Sequence, residues 1–197
     1  MTSQDTEAAD ITTTDYRAVI SCFASGVAVV TSTCSDGTPA GTTVSALTSL
    51  SLTPPLLLAC FDQTSLTLAA IRTYGAFAVN VLTAGQQHLS ACFAGRGSPV
   101  TWDGIAYRLG LTGCPLLADV LATLECDVED RFPGGDHEIV VGRVRQADTG
   151  GNGLRPLLYW RGNYPHMAEP TALPPAAGTA AATTVPARTQ SRLGAIV

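Results

Sequence analysis

The chain has 197 residues, 46% of them hydrophobic, and a formal net charge of −5; that is enough for one domain with a real core and too little for two. Asp5, Glu7, Asp10 and Asp15 all precede the first basic residue, Arg17, so the remainder is nearly neutral and nucleic acid and anionic membrane are excluded as partners. All eleven basic residues are arginine, which removes Schiff-base chemistry, pyridoxal phosphate attachment and the lysine of a phosphate-binding P-loop.

Residues 1–13 are polar and threonine-rich and read as a flexible segment without the charged-then-apolar layout of a signal peptide. No apolar run reaches the roughly 18 residues of a membrane helix, so the expected location is the cytoplasm. Tyr16, Val19, Ile20 and Phe23 recur at helical spacing and predict a short amphipathic helix that packs on the domain and stops near Gly26. Strands are predicted over 27–34 and from about Ala40, joined by a turn at 35–39, and again over 56–61. A helix from Thr64 or Ser65 to before Gly75, a strand over 76–82 and a short helix over 86–93 follow. Leu124, Cys126 and Val128 alternate with acidic residues up to a Pro133-Gly134-Gly135-Asp136 turn, which predicts a hairpin returning over 137–146. A last strand falls at 157–159, and the Ala/Pro/Thr-rich stretch 168–197 reads as a disordered tail. The fold class is mainly β with short helices, an antiparallel barrel that hides its strand edges. The six cysteines contain no CxxC pair, which argues against a metal site, and most of them, Cys22 and Cys60 for example, read as small buried hydrophobes.

Neither GxGxxG after a strand nor GxxxxGK[ST] occurs, so any dinucleotide is handled without a Rossmann or P-loop site. Residues 41–51 are rich in hydroxyls and offer neutral donors without a charge, which suits the polar edge of a planar ring; ordinary cross-strand bonding explains them equally. Asp62, Ser65 and Thr67 stand at a strand-to-helix junction, where amides and hydroxyls hold a phosphate or simply cap the helix. Phe93 and Arg96 flank a glycine, placing a ring cover and a phosphate partner in one loop. His137 opens a strand after a glycine turn, at a barrel mouth, as a proton-exchanging group or a solvated turn histidine. His88 reads as surface.

Taken in order, Phe23-Ala24-Ser25-Gly26-Val27-Ala28-Val29-Val30-Thr31, the 41–51 segment with Pro54-Pro55-Leu56-Leu57-Leu58, Phe77-Ala78-Val79-Asn80-Val81-Leu82, Phe93-Ala94-Gly95 and the run from Gly134 to Val144 resemble the flavin reductase-like family of FMN-binding split barrels. The resemblance spans about Tyr16 to Tyr164 and implies one split-barrel domain over 14–167, antiparallel and Greek-key-like. It further implies hydride transfer from NADH or NADPH to FMN or FAD, with reduced flavin passed to a partner monooxygenase, in a homodimer. Carried over by position, it sets the flavin ring against Thr43, Val44, Ser45, Ala46, Thr48 and Ser49, with Ser25, Gly26 and Val27 nearby. The flavin phosphate then falls near Asp62, Ser65 and Thr67 under Phe93 and Arg96, and His137 and Tyr164 border the nicotinamide. Two alternatives stay open at this point: an enzyme that retains its flavin for another redox or biosynthetic reaction, and a non-catalytic flavin-binding barrel.

Overall fold

The computed structural model describes residues 10–95, 100–151 and 153–168. Seven antiparallel strands form one sheet in the order β3-β2-β6-β9-β10-β5-β4: β2 (Ala28–Thr33), β3 (Pro39–Val44), β4 (Leu47–Leu52), β5 (Pro55–Asp62), β6 (Ala76–Val81), β9 (Ala122–Gly134) and β10 (His137–Thr149). The two outermost strands, β3 and β4, are consecutive in sequence and joined by Ser45 and Ala46 alone. Laid flat, seven strands about 4.8 Å apart would hold their outer members almost 30 Å from each other. The link from Val44 to Leu47 reaches about 10 Å at most, so the sheet has to curl until its edges meet. The antiparallel barrel with short helices read from the sequence is thus the architecture observed, and its seam is the 44–47 corner.

Each hairpin has a local cause. Between β2 and β3, Asp36 Oδ1 accepts from the Thr38 amide at 2.9 Å and its hydroxyl at 2.6 Å, while Gly37 takes the left-handed conformation (φ 83°) that the turn requires. Between β9 and β10, Gly135 does the same (φ 69°). Strand β2 reads as a continuous apolar run because both its faces are covered. Ala28 and Val30 enter the barrel core with Phe61, Phe77, Val79 and Val140, whereas Val27 and Val29 join a second cluster with Leu82, Phe93 and Leu117. Helix α2 (Leu66–Tyr74) closes the barrel core with Leu68 and Ile71. Ser65 Oγ caps it by accepting from the Leu68 amide, and Gly75 (φ 78°) ends it. Helix α3 (Gln87–Phe93) covers the second cluster. Two small pairs complete the fold: β1 (Ser25–Gly26) with β11 (Leu158–Tyr159), and β7 (Tyr107–Leu109) with β8 (Pro115–Leu117). The β7–β8 pair and the separate strand β4 have no counterpart in the elements read from the sequence.

Two sequence expectations are corrected. Helix α1 (Thr13–Ile20) forms as predicted but buries no residue; Tyr16, Val19, Ile20 and Phe23 are 55%, 69%, 49% and 75% exposed, so their helical stripe does not pack on this chain's own core. Cys22 and Cys92 are exposed, Cys34 and Cys60 are half-buried, and only Cys114 and Cys126 are buried. Cys22 follows α1 into solvent, which is why its apolar neighbours do not enclose it. Among the described residues no helix is long and apolar enough to cross a membrane.

Candidate functional site

The candidate residues gather where the barrel closes. Register fixes this: Ala28 pairs with Val44, Leu47 with Ala59, the Cys60 amide donates to Ala46 O at 3.0 Å, and His137 pairs with Asp62. The end of β3 thus lies beside the start of β2, and the end of β5 beside the starts of β4 and β10; across β6, β9 and β10 these two groups are at opposite ends of the sheet, and the Ser45-Ala46 link brings them together at this end of the curled barrel. Val44 is buried there, while Ser45, Ala46, Thr48 and Ser49 are exposed. Among the described residues the hydroxyls of Ser45 and Ser49 have no hydrogen-bond partner, and the Thr48 hydroxyl contacts only Ser49 O at 3.3 Å. Accessible hydroxyls with their capacity free, set on an apolar floor of Val44 and Leu47, suit the carbonyl and ring-nitrogen edge of a flavin. Ser25 pairs with Tyr159 and Gly26 with Leu158, while the Val27 amide donates to Leu157 O at 3.0 Å, so β11 fixes the 25–27 segment beside this end.

On the far side of β5, Asp62 Oδ1 accepts from the Thr64 amide at 2.8 Å and the Thr64 hydroxyl at 2.6 Å. That arrangement turns the chain into α2 and places a negative charge at the helix start. An anion here would be met by the Ser65 hydroxyl, whose proton remains available after its oxygen has capped Leu68, and by first-turn amides of α2. Thr67 does not share that exposure: it is 3% accessible and faces inward from the first turn, so it serves the packing of α2. His137 is half-exposed, with Nδ1 2.7 Å from Asp136 Oδ1. Gln63 clamps this turn, its amide donating to Asp136 O at 3.1 Å and its Nε2 to Gly135 O at 3.0 Å. Beside it, Glu138 receives Arg72 from α2 at 2.7 Å and 3.3 Å, and Arg72 holds the Glu138 carboxyl below its ordinary value of 4.5. This ion pair fixes α2 against β10.

A second group lies on the α3 side. Thr43 Oγ1 donates to Ser90 O at 2.8 Å, and the Ser90 hydroxyl lies 2.9 Å from the Tyr164 hydroxyl. Tyr164 is half-buried, tilted against Tyr159 at 5.4 Å, and delivered to α3 by a tight turn in which Arg161 (φ 48°) and Gly162 (φ 77°) are both left-handed. Arg161 is held in that unusual conformation by its amide donating to Ser21 O at 3.1 Å and by its guanidinium 4.9 Å over Trp160. Phe93 is corrected from its expected place as a ring cover: it is fully buried and edge-on to Trp102 at 5.1 Å, a core residue of the second cluster. Arg96 lies outside the described residues. Among those described, no hydrogen bond or ring contact joins His137 to Tyr164.

Sequence reasoning passed over Ser90 and Gln63. The signal for Ser90 was present: it lies four residues after Gln86 and three before Phe93, and all three are buried, which is the inward stripe of a helix. Gln63 carried no comparable pattern, because its role depends on a turn 72 residues away in sequence meeting β5. A shallow cleft formed by 128–133 and Glu138 and another around Asp119, Asp148 and Leu154 lie away from the seam and share none of its residues.

A family described as "Flavin reductase like domain" matches residues 20–168. The reductase component of the 4-nitrophenol 4-monooxygenase/4-nitrocatechol 2-monooxygenase of Rhodococcus opacus is 43% identical over 154 residues, covering 78% of this chain and 80% of that protein. A "Probable flavin reductase" of Rhizobium meliloti (strain 1021) is 40% identical over 148 residues, and the match covers 75% of this chain but only 47% of the longer relative. Among solved structures, the Streptomyces globisporus C-1027 NADH:FAD oxidoreductase SgcE6 in complex with NAD and FAD fragments superposes with a TM-score of 0.74 at 35% identity, over 81% of this chain and 94% of that one.

Proposed function

The chain belongs to the flavin reductase-like family, and from that premise we propose that it is an NAD(P)H:flavin oxidoreductase that supplies reduced FMN or FAD to a partner monooxygenase. The observation that carries this reading is the seam itself: uncharged donors with free capacity at Ser45 and Ser49, beside an apolar floor, at the one corner where both edges of the barrel meet. Bound flavin supplies the two-electron acceptor for the hydride of the nicotinamide. The protein's own share would be to hold the two ligands within reach of each other. In this reading Ser45, Ala46, Thr48 and Ser49 hold the ring edge, Ser25 to Val27 line its side, and Ser65 with the start of α2 receives the phosphate. Tyr164 borders the nicotinamide, and His137 positions ligand or balances protons at the outer rim.

An exposed seam suits a flavin that arrives and leaves as a substrate, since nothing among the described residues encloses it. The same reading includes a cytoplasmic homodimer whose second copy covers the uncovered stripe of α1. Monomeric soluble proteins rarely leave a contiguous apolar patch of this kind bare, and Tyr16, Val19, Ile20 and Phe23 form one.

The test is loss of nicotinamide absorbance by purified protein, with NADH or NADPH and increasing FMN or FAD. Turnover that rises with added flavin and saturates is the expected result, and binding of flavin without NADH or NADPH oxidation would overturn it. The same titration decides between FMN and FAD.

A further inference from the structure

Ser90 is 1% accessible, and among the described residues its hydroxyl has one hydrogen-bond partner, the Tyr164 hydroxyl at 2.9 Å. A buried serine on a helix ordinarily returns its proton to the carbonyl one turn earlier; here that bond is absent and the side chain is aimed across at β11's return segment. Two hydroxyls in contact share one proton, and the order of donation follows from burial. If Tyr164 donated to Ser90, the serine proton would be left buried without an acceptor, a costly arrangement. Donation by Ser90 satisfies the buried group and leaves the phenolic proton of the half-buried Tyr164 free for another acceptor. The backbone of Ser90 is fixed in turn, because its carbonyl accepts from Thr43 Oγ1 on β3, one residue before the seam.

We propose that Ser90 is a positioning residue that orients the Tyr164 hydroxyl as a hydrogen-bond donor to a carbonyl of the bound nicotinamide nucleotide, its carboxamide being the acceptor of matching chemistry. This rests on the reductase reading above and adds to it the residue that sets the polarity of the nicotinamide side. Ser90 touches no ligand; it acts through Tyr164. The chain from Thr43 through α3 to Tyr164 also ties the two rings' supports together, so flavin and nicotinamide are held on one rigid unit.

The experiment compares wild type, Ser90→Ala, Tyr164→Phe and the double variant in flavin-saturated turnover, together with calorimetric binding of NAD+ to flavin-loaded protein. Tyr164→Phe removes the donor to the nucleotide and Ser90→Ala removes the contact that orients it, so each should raise KM for NADH and weaken NAD+ by about three- to tenfold, with kcat and flavin affinity nearly unchanged. The double variant should be no worse than Tyr164→Phe alone. Multiplying effects, or an unchanged KM and NAD+ affinity in Ser90→Ala, would overturn the proposal. Wild-type protein that binds flavin but oxidises no NADH or NADPH is a different result, since it would remove the reductase reading itself. A general loss of packing in Ser90→Ala would lower flavin affinity and thermal midpoint too, and Tyr164→Phe, which keeps the ring, separates that case.

Discussion

Gly41 offers a direct test of how the core supports the seam. It is buried on β3, and a Cβ built there would stand 2.6 Å and 2.8 Å from two edge carbons of Phe93 and 3.2 Å from Trp102. Its backbone is not left-handed, so the reason for glycine is close approach rather than torsion. Phe93 is fully buried and already packed edge-on to the half-buried Trp102, so the Phe93 ring has little space to retreat. Gly41→Ala should therefore cost about 2–3 kcal/mol, the upper part of the range for overpacking, and lower the thermal midpoint by about 4–12 °C for a chain of this size. Because Phe93 sits on α3 with Ser90, the displacement should also loosen the Thr43 contact and weaken flavin. Urea unfolding monitored by tryptophan fluorescence gives the stability. Phe93→Leu, which removes the ring edge at a cost of about 1–2 kcal/mol, should relieve the clash, leaving the double variant at least about 1 kcal/mol more stable than the two costs added. Additive costs, or an unaffected Gly41→Ala protein, would refute the close-approach argument.

Four further outcomes are expected. Ser45→Ala and Ser49→Ala should each weaken flavin by about three- to tenfold with unfolding midpoints unmoved, as measured by quenching of flavin fluorescence; unchanged affinity in both would remove the ring edge from the seam. Burial pushes the Cys114 thiol up to about 11 and Cys126 to about 12, so iodoacetamide at about pH 8 should modify exposed Cys22 and Cys92 in the folded protein and reach the buried pair only after denaturation; mass spectrometry reads this, and equal labelling of Cys114 and Cys22 would contradict it. Glu138 is held low by Arg72, so its contribution to stability is present above its ordinary value of 4.5 and is lost as pH falls through its lower folded value. Glu138→Gln should accordingly cost on the order of 0.5 kcal/mol at neutral pH, since Arg72 is substantially exposed, and less at about pH 3, with a pH-independent cost counting against the ion pair. If the proposed homodimer forms through α1, Val19→Asp should lower the sedimentation coefficient to that of a monomer with the circular dichroism spectrum retained; an unchanged sedimentation coefficient would exclude α1 from the proposed interface.

The fold was legible wherever a residue's environment is local. The α2 boundaries followed from Ser65 and Gly75, a cap and a left-handed stop that work in any context, and the β9–β10 turn from two consecutive glycines. Strand β4 was not legible, because on this edge strand Thr48 and Ser49 are exposed together with the apolar Leu50 and Leu52, so no alternation of buried apolar and exposed polar residues marks it. The β7–β8 pair escaped for a related reason, since three-residue strands carry almost no period. Of the site, the hydroxyl-rich 41–51 segment could be named but not located. Its chemistry comes from the meeting of β3 and β4 edges, and that meeting depends on the order of seven strands.

Phe93 and the α1 stripe show what residue type leaves undecided. Each is apolar, and each satisfies a pattern, yet one is sealed under β3 and the other stands in solvent. A helical stripe states that a face must be covered and is silent about which chain covers it; α1 has the pattern of a packed helix, yet among the described residues none of its own is buried. For Phe93 the deciding neighbour was Gly41, 52 positions away in sequence, which opens the space that the ring fills. An aromatic before a glycine reads as a mobile cover only until a second glycine is found beneath it. The same logic identifies Ser90: a small polar residue on the inward stripe of a short helix has to spend its proton inside the protein, and where that proton goes decides what Tyr164 has left to offer a ligand.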